Sequence, residues 1–170
     1  MLLMSEAAAD QTTDAIVKTV TLKADLTRVW NAIFNPAEFV HWFGIEFDRP
    51  FIPHTPITGK SIPNTVVAGV AVNQEPFRGM LADVVIGDIE PMRLFSPRWH
   101  PFAIERGCDY SAEPMTLVTF QLEQVEDGVQ LTITESGFDQ IPLARRAQAF
   151  GANGSGRMWQ CRLIEGYLAR

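Results

Sequence analysis

The sequence predicts a single α+β domain of the helix-grip type, in which a curved antiparallel β-sheet wraps around a long C-terminal helix. Three features predict this fold: two short helical segments follow the first strand, a run of about six strands occupies the middle, and the C-terminal region has helical periodicity. A sheet of that length must bury one face, and only the C-terminal helix is long enough to cover it. The 170 residues suffice for one such domain.

The N-terminal quarter of the chain is predicted to contain the first strand and the first helix. Residues 16–22 alternate and are rich in β-branched side chains, which is typical of a strand. A helix follows, with Asp25 as its N-cap and Thr27 as the competing choice. Its apolar residues fall on one stripe, so Trp30 is expected in the core. Asn35-Pro36 ends this helix because proline breaks a helix interior.

A second short helix is predicted to begin at Pro36, a residue that fits the first helical turn. Residues 38–43 are apolar on nearly all sides, and Gly44 closes the segment. A short helix so rich in aromatic side chains must pack beneath other elements or cap a pocket. Four prolines then interrupt residues 45–65, which predicts a loop-rich crossing with one irregular strand at 45–47.

Strand patterns return in the second half of the chain. Residues 66–72, 80–89 and 94–100 are each predicted as a strand, and Pro97 indicates a bulge or an edge position in the last one. The clearest hairpin joins residues 115–124 to 129–136 across a turn that ends at Gly128. Alternation along this hairpin places the following residues on one face: Val118, Phe120 and Leu122 on the first strand, and Leu131, Ile133 and Glu135 on the second.

The C-terminal helix is predicted to begin near Ile141-Pro142 and to reach the end of the chain, with a flexible interruption at residues 153–156. Placed on a helical wheel, the residues from Arg157 onward form a broad apolar arc that includes Trp159 and Leu163. Arg157 and Gln160 fall inside that arc. Both side chains are therefore predicted to face the space between the helix and the sheet.

Composition and charge exclude several classes of protein. The formal net charge is −6 with scattered basic residues, whereas a nucleic-acid surface needs clustered Lys and Arg. No apolar run approaches the length of a membrane helix, so no membrane insertion is expected. Residues 1–14 read as a loose arm without the features of a signal peptide, which favours a cytoplasmic location. Cys108 and Cys161 lack a zinc-binding spacing and are expected to be free, reduced thiols; no metal or cofactor is expected.

Several short motifs occur in a characteristic order along residues 15–170. They are Arg28-Val-Trp30, Phe39-Val-His-Trp-Phe-Gly44, Ile89-Glu-Pro91, Arg98-Trp-His-Pro101, Asp109-Tyr-Ser-Ala-Glu-Pro114, Thr134-Glu-Ser-Gly-Phe138, and Ile141-Pro142 through Ala147 with Phe150 and Asn153. In this order the chain resembles the START-like (SRPBCC, birch-pollen-allergen-like) superfamily. Within it, the resemblance is to the branch named after the C-terminal domain of the activator of the Hsp90 ATPase.

The resemblance implies a helix-grip fold and, for many members, binding of hydrophobic molecules such as lipids, sterols or polyketides. A minority of the superfamily are cyclases or hydrolases. One departure concerns the last helix, where such sequences usually continue from the asparagine into Gly-Gly-Trp. Here the tryptophan position holds Arg157, and Trp159 follows two residues later. A ligand is therefore not carried over from relatives.

Glu135 and Arg157 are the most unusual pair in this prediction, because alternation and helical phase both point charged groups inward. A buried carboxylate is costly unless it is paired or hydrogen-bonded. One hypothesis is that Glu135 and Arg157, together with Gln160 and Asn153, form the polar end of a cavity. The alternative is that Glu135 bonds the backbone of the Ser136-Gly137 bend while Arg157 only caps the mouth.

The predicted ligand-binding set combines this polar end with aromatic side chains on core-facing positions. Trp42, in the capping helix, and Trp99, at the end of the bulged strand, are favoured among the aromatics, whereas His100 is expected to be exposed. The complete set is Trp42, Phe43, Phe95, Trp99, Phe120, Glu135, Phe138, Asn153, Arg157, Trp159, Gln160 and Leu163.

Three functions follow, in order of preference. The first is a carrier or sensor that binds a small, mainly hydrophobic molecule in the cavity. The second is a protein-interaction module that regulates a chaperone ATPase, as the branch name implies. The third is a cyclase- or hydrolase-type enzyme with Glu135 as acid–base group and Arg157 as electrostatic clamp. A binding protein is expected rather than an enzyme, and a protein partner or homodimer stays open.

Overall fold

A seven-stranded antiparallel sheet and a C-terminal helix of 26 residues form the two layers of this computed structural model, which describes residues 14–170. The predicted arm, residues 1–14, lies outside the described residues except for Asp14. In chain order the elements are β1 (Ala15–Leu22), α1 (Leu26–Phe34), α2 (Pro36–Phe43), β2 (Ile45–Glu46), β3 (Pro56–Ser61), α3 (Ala68–Gln74), β4 (Leu81–Glu90), β5 (Leu94–Trp99), β6 (Thr116–Val125), β7 (Gly128–Ser136) and α4 (Leu143–Leu168). Short 3₁₀ helices occupy Glu75–Phe77 and Phe138–Gln140.

The strands lie in the order β1-β7-β6-β5-β4-β3-β2, and every neighbouring pair is antiparallel. The helix α4 packs against β1 and α2, so that the sheet curves around it. The predicted helix-grip fold is confirmed. Six strands follow the two short helices, and the first strand pairs with the last.

The predicted hairpin of β6 and β7 is present with the expected faces. Val118 pairs with Glu135 and Phe120 with Ile133, and all four side chains are fully buried. The turn depends on Gly128, whose φ is 146°. A Cβ at this position would meet the carbonyl oxygen of Leu22 at 2.1 Å, so only glycine lets the turn pack against the end of β1.

The irregularity predicted at Pro97 is a register shift between β4 and β5. Pro97 pairs with Ile86, and the pairing resumes out of step at Ile89 and Phe95. Gly87 lies in the shifted stretch, where a Cβ would meet the carbonyl oxygen of Ser96 at 2.3 Å. The shift lets a strand inside the sheet accommodate a residue without a backbone N–H.

The two short helices begin and end as predicted. Asp25 caps α1 by accepting the backbone N–H of Arg28 at 2.9 Å, so Asp25 and not Thr27 is the cap. Asn35 caps α2, Pro36 occupies its first turn, and Gly44 ends it with φ 87°. Both helices turn aromatic and aliphatic side chains toward the sheet.

The strand predicted at residues 66–72 is wrong, because residues 68–72 lie in the helix α3 and residues 66–67 precede it. The side chain of Asn64 accepts hydrogen bonds from the N–H groups of Val66 and Val67, both at 2.8 Å, and thereby nucleates the turn. Gln74 fixes Asn64 in place by accepting from its amide nitrogen at 2.9 Å. These contacts override the strand propensity of the four valines in residues 66–72.

Two further predictions need correction. Strand β3 lies within the crossing predicted as mostly loop; Gly59 on it allows Ile45 and Phe47 to approach within 2.5 and 2.7 Å of where its Cβ would be. The helix α4 is continuous through residues 153–156, where a flexible interruption was predicted. Its buried residues on both sides of the glycines, from Ala149 to Tyr167, hold it against the sheet.

Within residues 14–170, no helix combines the length and the apolar character that crossing a bilayer requires.

Candidate functional site

A cavity of about 850 Å³ lies where α4 passes over the ends of β3, β4 and β5. The C-terminal end of α2 and the middle of α4 form two of its walls, and the segment between β5 and β6 contributes His100 and residues 102–111. The lining residues are Phe43, Gly44, Ile45, Ser61, Ile62, Gln74, Phe77, Gly79, Met80, Leu81, Ala82, Asp83, Val84, Trp99, His100, Phe102, Ala103, Ile104, Glu105, Arg106, Gly107, Cys108, Asp109, Tyr110, Ser111, Ala152, Asn153, Arg157 and Gln160.

Glu135 is a fully buried carboxylate that contacts three lining residues, Trp99, Asn153 and Arg157, whose part of the lining is called the inner end of the cavity. Its Oε2 accepts hydrogen bonds from Trp99 Nε1 at 3.1 Å and Thr116 Oγ1 at 2.6 Å. Asn153 Nδ2 lies 3.1 Å from both carboxylate oxygens, and Arg157 Nε lies 3.3 Å from Oε1. Four different side chains thus surround one carboxylate, which offsets the cost of removing it from water.

Arg157 carries the charge that matches Glu135 and is itself 95% buried, with 5% of its surface exposed. Its guanidinium lies over the indole of Trp99 at 5.0 Å and over the ring of Phe43 at 5.8 Å. Nη1 donates a hydrogen bond to Oε1 of Gln160. Burial lowers the pKa of Arg157, and the negative charge of Glu135 opposes that shift.

The spacing along α4 explains why these groups meet. Asn153, Arg157 and Gln160 are four and three residues apart, so they occupy one helix face on successive turns. Strand alternation on β7 points Glu135 at the same place from the sheet. The sequence-based hypothesis that these four residues come together matches this geometry, whereas Ser136-Gly137 backbone bonding to Glu135 is absent from the hydrogen bonds of the described residues.

Of the twelve predicted ligand-binding residues, five line the cavity and Glu135 lies immediately behind them. The five are Phe43, Trp99, Asn153, Arg157 and Gln160. They come from α2, β5 and α4, which the fold brings together at one end of the sheet.

The remaining six predicted residues do not line the cavity. Five are buried in the core: Trp42, Phe95, Phe120, Phe138 and Leu163. Trp42 donates its indole N–H to the carbonyl of Ala32 at 2.8 Å, so both its ring and its polar atom are used in packing. Trp159 is 39% exposed and faces Arg162 on the outer side of α4, because the phase of the helix turns Arg157 and Cys161 inward instead.

Sequence reasoning missed the contribution of the segment between β5 and β6. His100, predicted to be exposed, is half-buried and lines the cavity, and its Nδ1 is buried without a hydrogen-bond partner in the described part of the chain. Tyr110 and Asp109 line the same side. The only signal was the pair of motifs at residues 98–101 and 109–114, which have no periodicity from which a facing direction follows.

Arg145, on the first turn of α4, binds the segment between β5 and β6 and holds it in place. It donates three hydrogen bonds to Glu113, at 2.6 to 3.1 Å, and others to the carbonyls of Pro101 at 3.1 Å and Phe102 at 3.2 Å. Its guanidinium also stacks over Tyr110 at 4.8 Å. The hydrogen bonds to Glu113 raise the pKa of Arg145. One side of the cavity is therefore held in place by the N-terminal end of α4.

Among residues 14–170, no group of three or more His, Cys, Asp or Glu side chains is placed to hold a metal ion. Cys108 is exposed at the cavity and Cys161 is buried, and both are free thiols. Burial raises the pKa of Cys161, which keeps that thiol protonated at neutral pH.

Solved structures share this fold at low sequence identity. A protein from Arthrobacter aurescens has a TM-score of 0.68 at 17% identity, covering 92% of this chain and 87% of that one. Protein MLL2253 from Mesorhizobium loti has a TM-score of 0.67 at 17% identity, covering 92% and 97%. DynU16, from the dynemicin biosynthetic locus, has a TM-score of 0.64 at 18% identity; the match covers 92% of this chain but only 47% of DynU16.

No curated protein matches the chain. A family model does match, over residues 23–165, and its description is activator of Hsp90 ATPase homolog 1-like protein. The match begins before α1 and ends near the C-terminus of α4, so it includes every element that forms the cavity. The resemblance to the START-like superfamily inferred from the sequence is confirmed, and the chain belongs to the family of activator of Hsp90 ATPase homolog 1-like proteins.

Proposed function

We propose that the protein is a carrier or sensor that binds a small, mainly apolar molecule in the cavity between the sheet and α4. The observation that carries this proposal is the cavity of about 850 Å³ with one buried guanidinium, that of Arg157, in its lining. Ligand pockets of proteins occupy roughly 300–1,000 Å³ and combine an apolar wall with a few placed polar groups. Phe43, Trp99 and Val84 belong to such a wall here.

The burial of Arg157 and Glu135 supports a binding role further. Replacing a buried ion pair with apolar residues is often neutral or stabilising, so stability alone does not account for this one. A preorganised polar group at the end of an apolar cavity fixes the orientation of a bound molecule. DynU16 belongs to a biosynthetic locus, which is compatible with a role that involves a small molecule.

The enzyme alternative is disfavoured by the surroundings of Glu135. Its carboxylate has no exposed surface and accepts from Trp99, Thr116 and Asn153, with Arg157 beside it. A general acid or base must come within hydrogen-bond reach of the substrate atom whose proton it transfers. Glu135 is instead placed to hold Arg157 and Trp99.

The chaperone alternative would use an exposed surface rather than the cavity. Among residues 14–170, the most exposed large apolar residues are Val72, Leu81 and Leu143; they lie on three different elements, and Leu81 also lines the cavity. A stable protein interface needs a contiguous patch of several hundred Å².

We also place the proposed carrier in the cytoplasm, where free thiols such as Cys108 and Cys161 persist.

The binding test uses the neutral fluorescent probe N-phenylnaphthylamine and native mass spectrometry of the purified protein. We expect saturable probe fluorescence, and about a tenfold loss of affinity in Ala152→Trp, because the new ring occupies cavity volume. Ala147→Trp on an exposed position of the same helix is the matched control and should bind as the wild type does. Absence of saturable binding, or equal affinity in all three proteins, would refute the proposal.

A further inference from the structure

The orientation of Gln160 decides what the inner end of the cavity offers to a ligand. Arginine has no hydrogen-bond acceptor, so the amide group that meets Arg157 Nη1 must present its oxygen. The amide nitrogen of Gln160 then points away from Arg157. Because Gln160 lines the cavity, its two N–H donors are available there.

Arg157 contributes donors to the same place. Nη1 bonds Gln160, whereas neither Nη2 nor Nε, which faces Glu135 at 3.3 Å, has a hydrogen-bond partner among residues 14–170. The carboxylate of Glu135 has no exposed surface, and Trp99 Nε1 is already used to bind it. Arg157 and Gln160 therefore present hydrogen-bond donors side by side, with Phe43 and Trp99 flanking the guanidinium.

The charges around the cavity select between neutral and anionic acceptors. The charge of Arg157 is already matched by Glu135. Of the other charged lining residues, Asp83, Glu105 and Asp109 are acidic and only Arg106 is basic. A hydrogen bond from the backbone of Ser111 lowers the pKa of Asp109, which keeps it ionised at neutral pH. Because the acidic lining residues outnumber Arg106, an anionic ligand would add negative charge to a region that is already net negative.

We propose that the bound molecule carries a neutral carbonyl oxygen, as in a ketone, ester, amide or quinone, which accepts hydrogen bonds from Arg157 Nη2 and Gln160 Nε2. This inference rests on the proposed function, since it names the class of ligand for the same cavity. Asn153 adds an acceptor one helical turn away, about 6 Å along the axis. Its Nδ2 binds Glu135, so its Oδ1 is left to accept from a hydroxyl group of the same molecule.

Three matched probes test this class: acetylanthracene with a carbonyl, ethylanthracene without one, and anthracene carboxylate with an anionic group. An apolar cavity would favour ethylanthracene, because the ketone loses hydrogen bonds to water on entry. We expect the reverse, with acetylanthracene binding about tenfold more tightly than ethylanthracene. Anthracene carboxylate should bind more weakly than the ketone.

A pair of charge-matched variants locates the effect. In Gln160→Glu the side chain still accepts from Arg157, but it offers an oxygen to the ligand where an N–H stood. The preference for the ketone over the hydrocarbon should fall to about threefold or less, since one of two donors is lost. Gln148→Glu makes the same charge change on an exposed position of α4 and should leave the preference unchanged.

The outcomes separate the two proposals. Equal affinity for the three probes, tightest binding of the carboxylate, or an unchanged ketone preference in Gln160→Glu would overturn the carbonyl inference while N-phenylnaphthylamine binding still supports a carrier. Binding of N-phenylnaphthylamine without binding of any anthracene would overturn it too. Failure of the wild-type protein to bind all four compounds would instead remove the proposed function.

Discussion

At the residue scale, Glu135 and Arg157 form a buried ion pair. The two members of this pair are not equivalent. Glu135 accepts from Trp99, Thr116 and Asn153 in addition to facing Arg157. Among residues 14–170, Arg157 has Glu135 as its only charged partner and Gln160 as its hydrogen-bond acceptor. Arg157 therefore depends more on Glu135 than Glu135 depends on Arg157.

This asymmetry predicts unequal costs for single substitutions. Glu135→Leu should lower the free energy of unfolding by about 3–5 kcal/mol, because it leaves a buried guanidinium without its counter-charge. Arg157→Met should cost less, about 1–2 kcal/mol, because three donors continue to satisfy the carboxylate. Urea denaturation of both variants measures the difference. Similar costs for the two would show that the three neutral donors do not satisfy Glu135.

At the scale of elements, the helix α4 forms in spite of the glycine residues in its middle. Its middle contains Gly151, Gly154 and Gly156, yet the helix is continuous. A Cβ at Gly151 or Gly156 would meet nothing within 4 Å, so packing does not require glycine there. Glycine within a helix costs roughly 0.5–1 kcal/mol relative to alanine. The contacts of α4 with β1 and α2 outweigh that cost.

We expect the double variant Gly151→Ala and Gly156→Ala to raise the free energy of unfolding by about 1–2 kcal/mol, since each alanine restricts the unfolded chain and favours the helix. Gly166→Ala is the contrasting control on the same helix. Its Cβ would lie 2.8 Å from Cγ1 of Val66, so it should stabilise less or destabilise. Thermal or urea unfolding of the three proteins is the measurement. Destabilisation by the double variant would contradict an unstrained, continuous helix.

At the scale of the whole molecule, the cavity depends on contacts between segments far apart in the chain. The segment between β5 and β6 lines one side, and Arg145 at the start of α4 fastens it through Glu113 and the carbonyls of Pro101 and Phe102. Both members of the ion pair are about four-fifths buried. The helix that contributes Arg157 to the cavity thus also fixes the loop on its other side.

Loss of the Arg145 contacts should increase the mobility of the segment between β5 and β6 without unfolding the sheet. In Arg145→Met, hydrogen exchange of the amides of residues 102–111 should accelerate at least about tenfold, because local opening no longer breaks the Arg145 contacts. Exchange of β6 and β7 should change little. Arg146→Met is the matched control, since in the described part of the chain Arg146 bonds only the nearby carbonyls of Asp139 and Ile141. Equal protection in both variants would show that other contacts hold the segment.

Local pattern was sufficient for most of the fold because its signals extend over only a few residues. The alternation of the β6–β7 hairpin, the Asp25 cap of α1, the start of α2 at Pro36 and the irregularity at Pro97 were all readable from the chain and are present. The pairing of Glu135 with Arg157 was one of the two arrangements that the pattern allowed, since period two and period 3.6 each point one charged residue inward.

Tertiary contacts decided the rest. The segment at residues 66–72 has strand propensity, but the turn closed by the side chain of Asn64, which Gln74 holds, leads into a helix from Ala68. Periodicity shows that Trp42 and Phe120 face inward, yet not whether an inward side chain meets another side chain or a void. That difference depends on how far apart the elements pack. Here a space is left between the ends of β3–β5, the middle of α4 and a loop without periodicity. Burial is thus a local property of the pattern, whereas a cavity is a property of packing between distant segments.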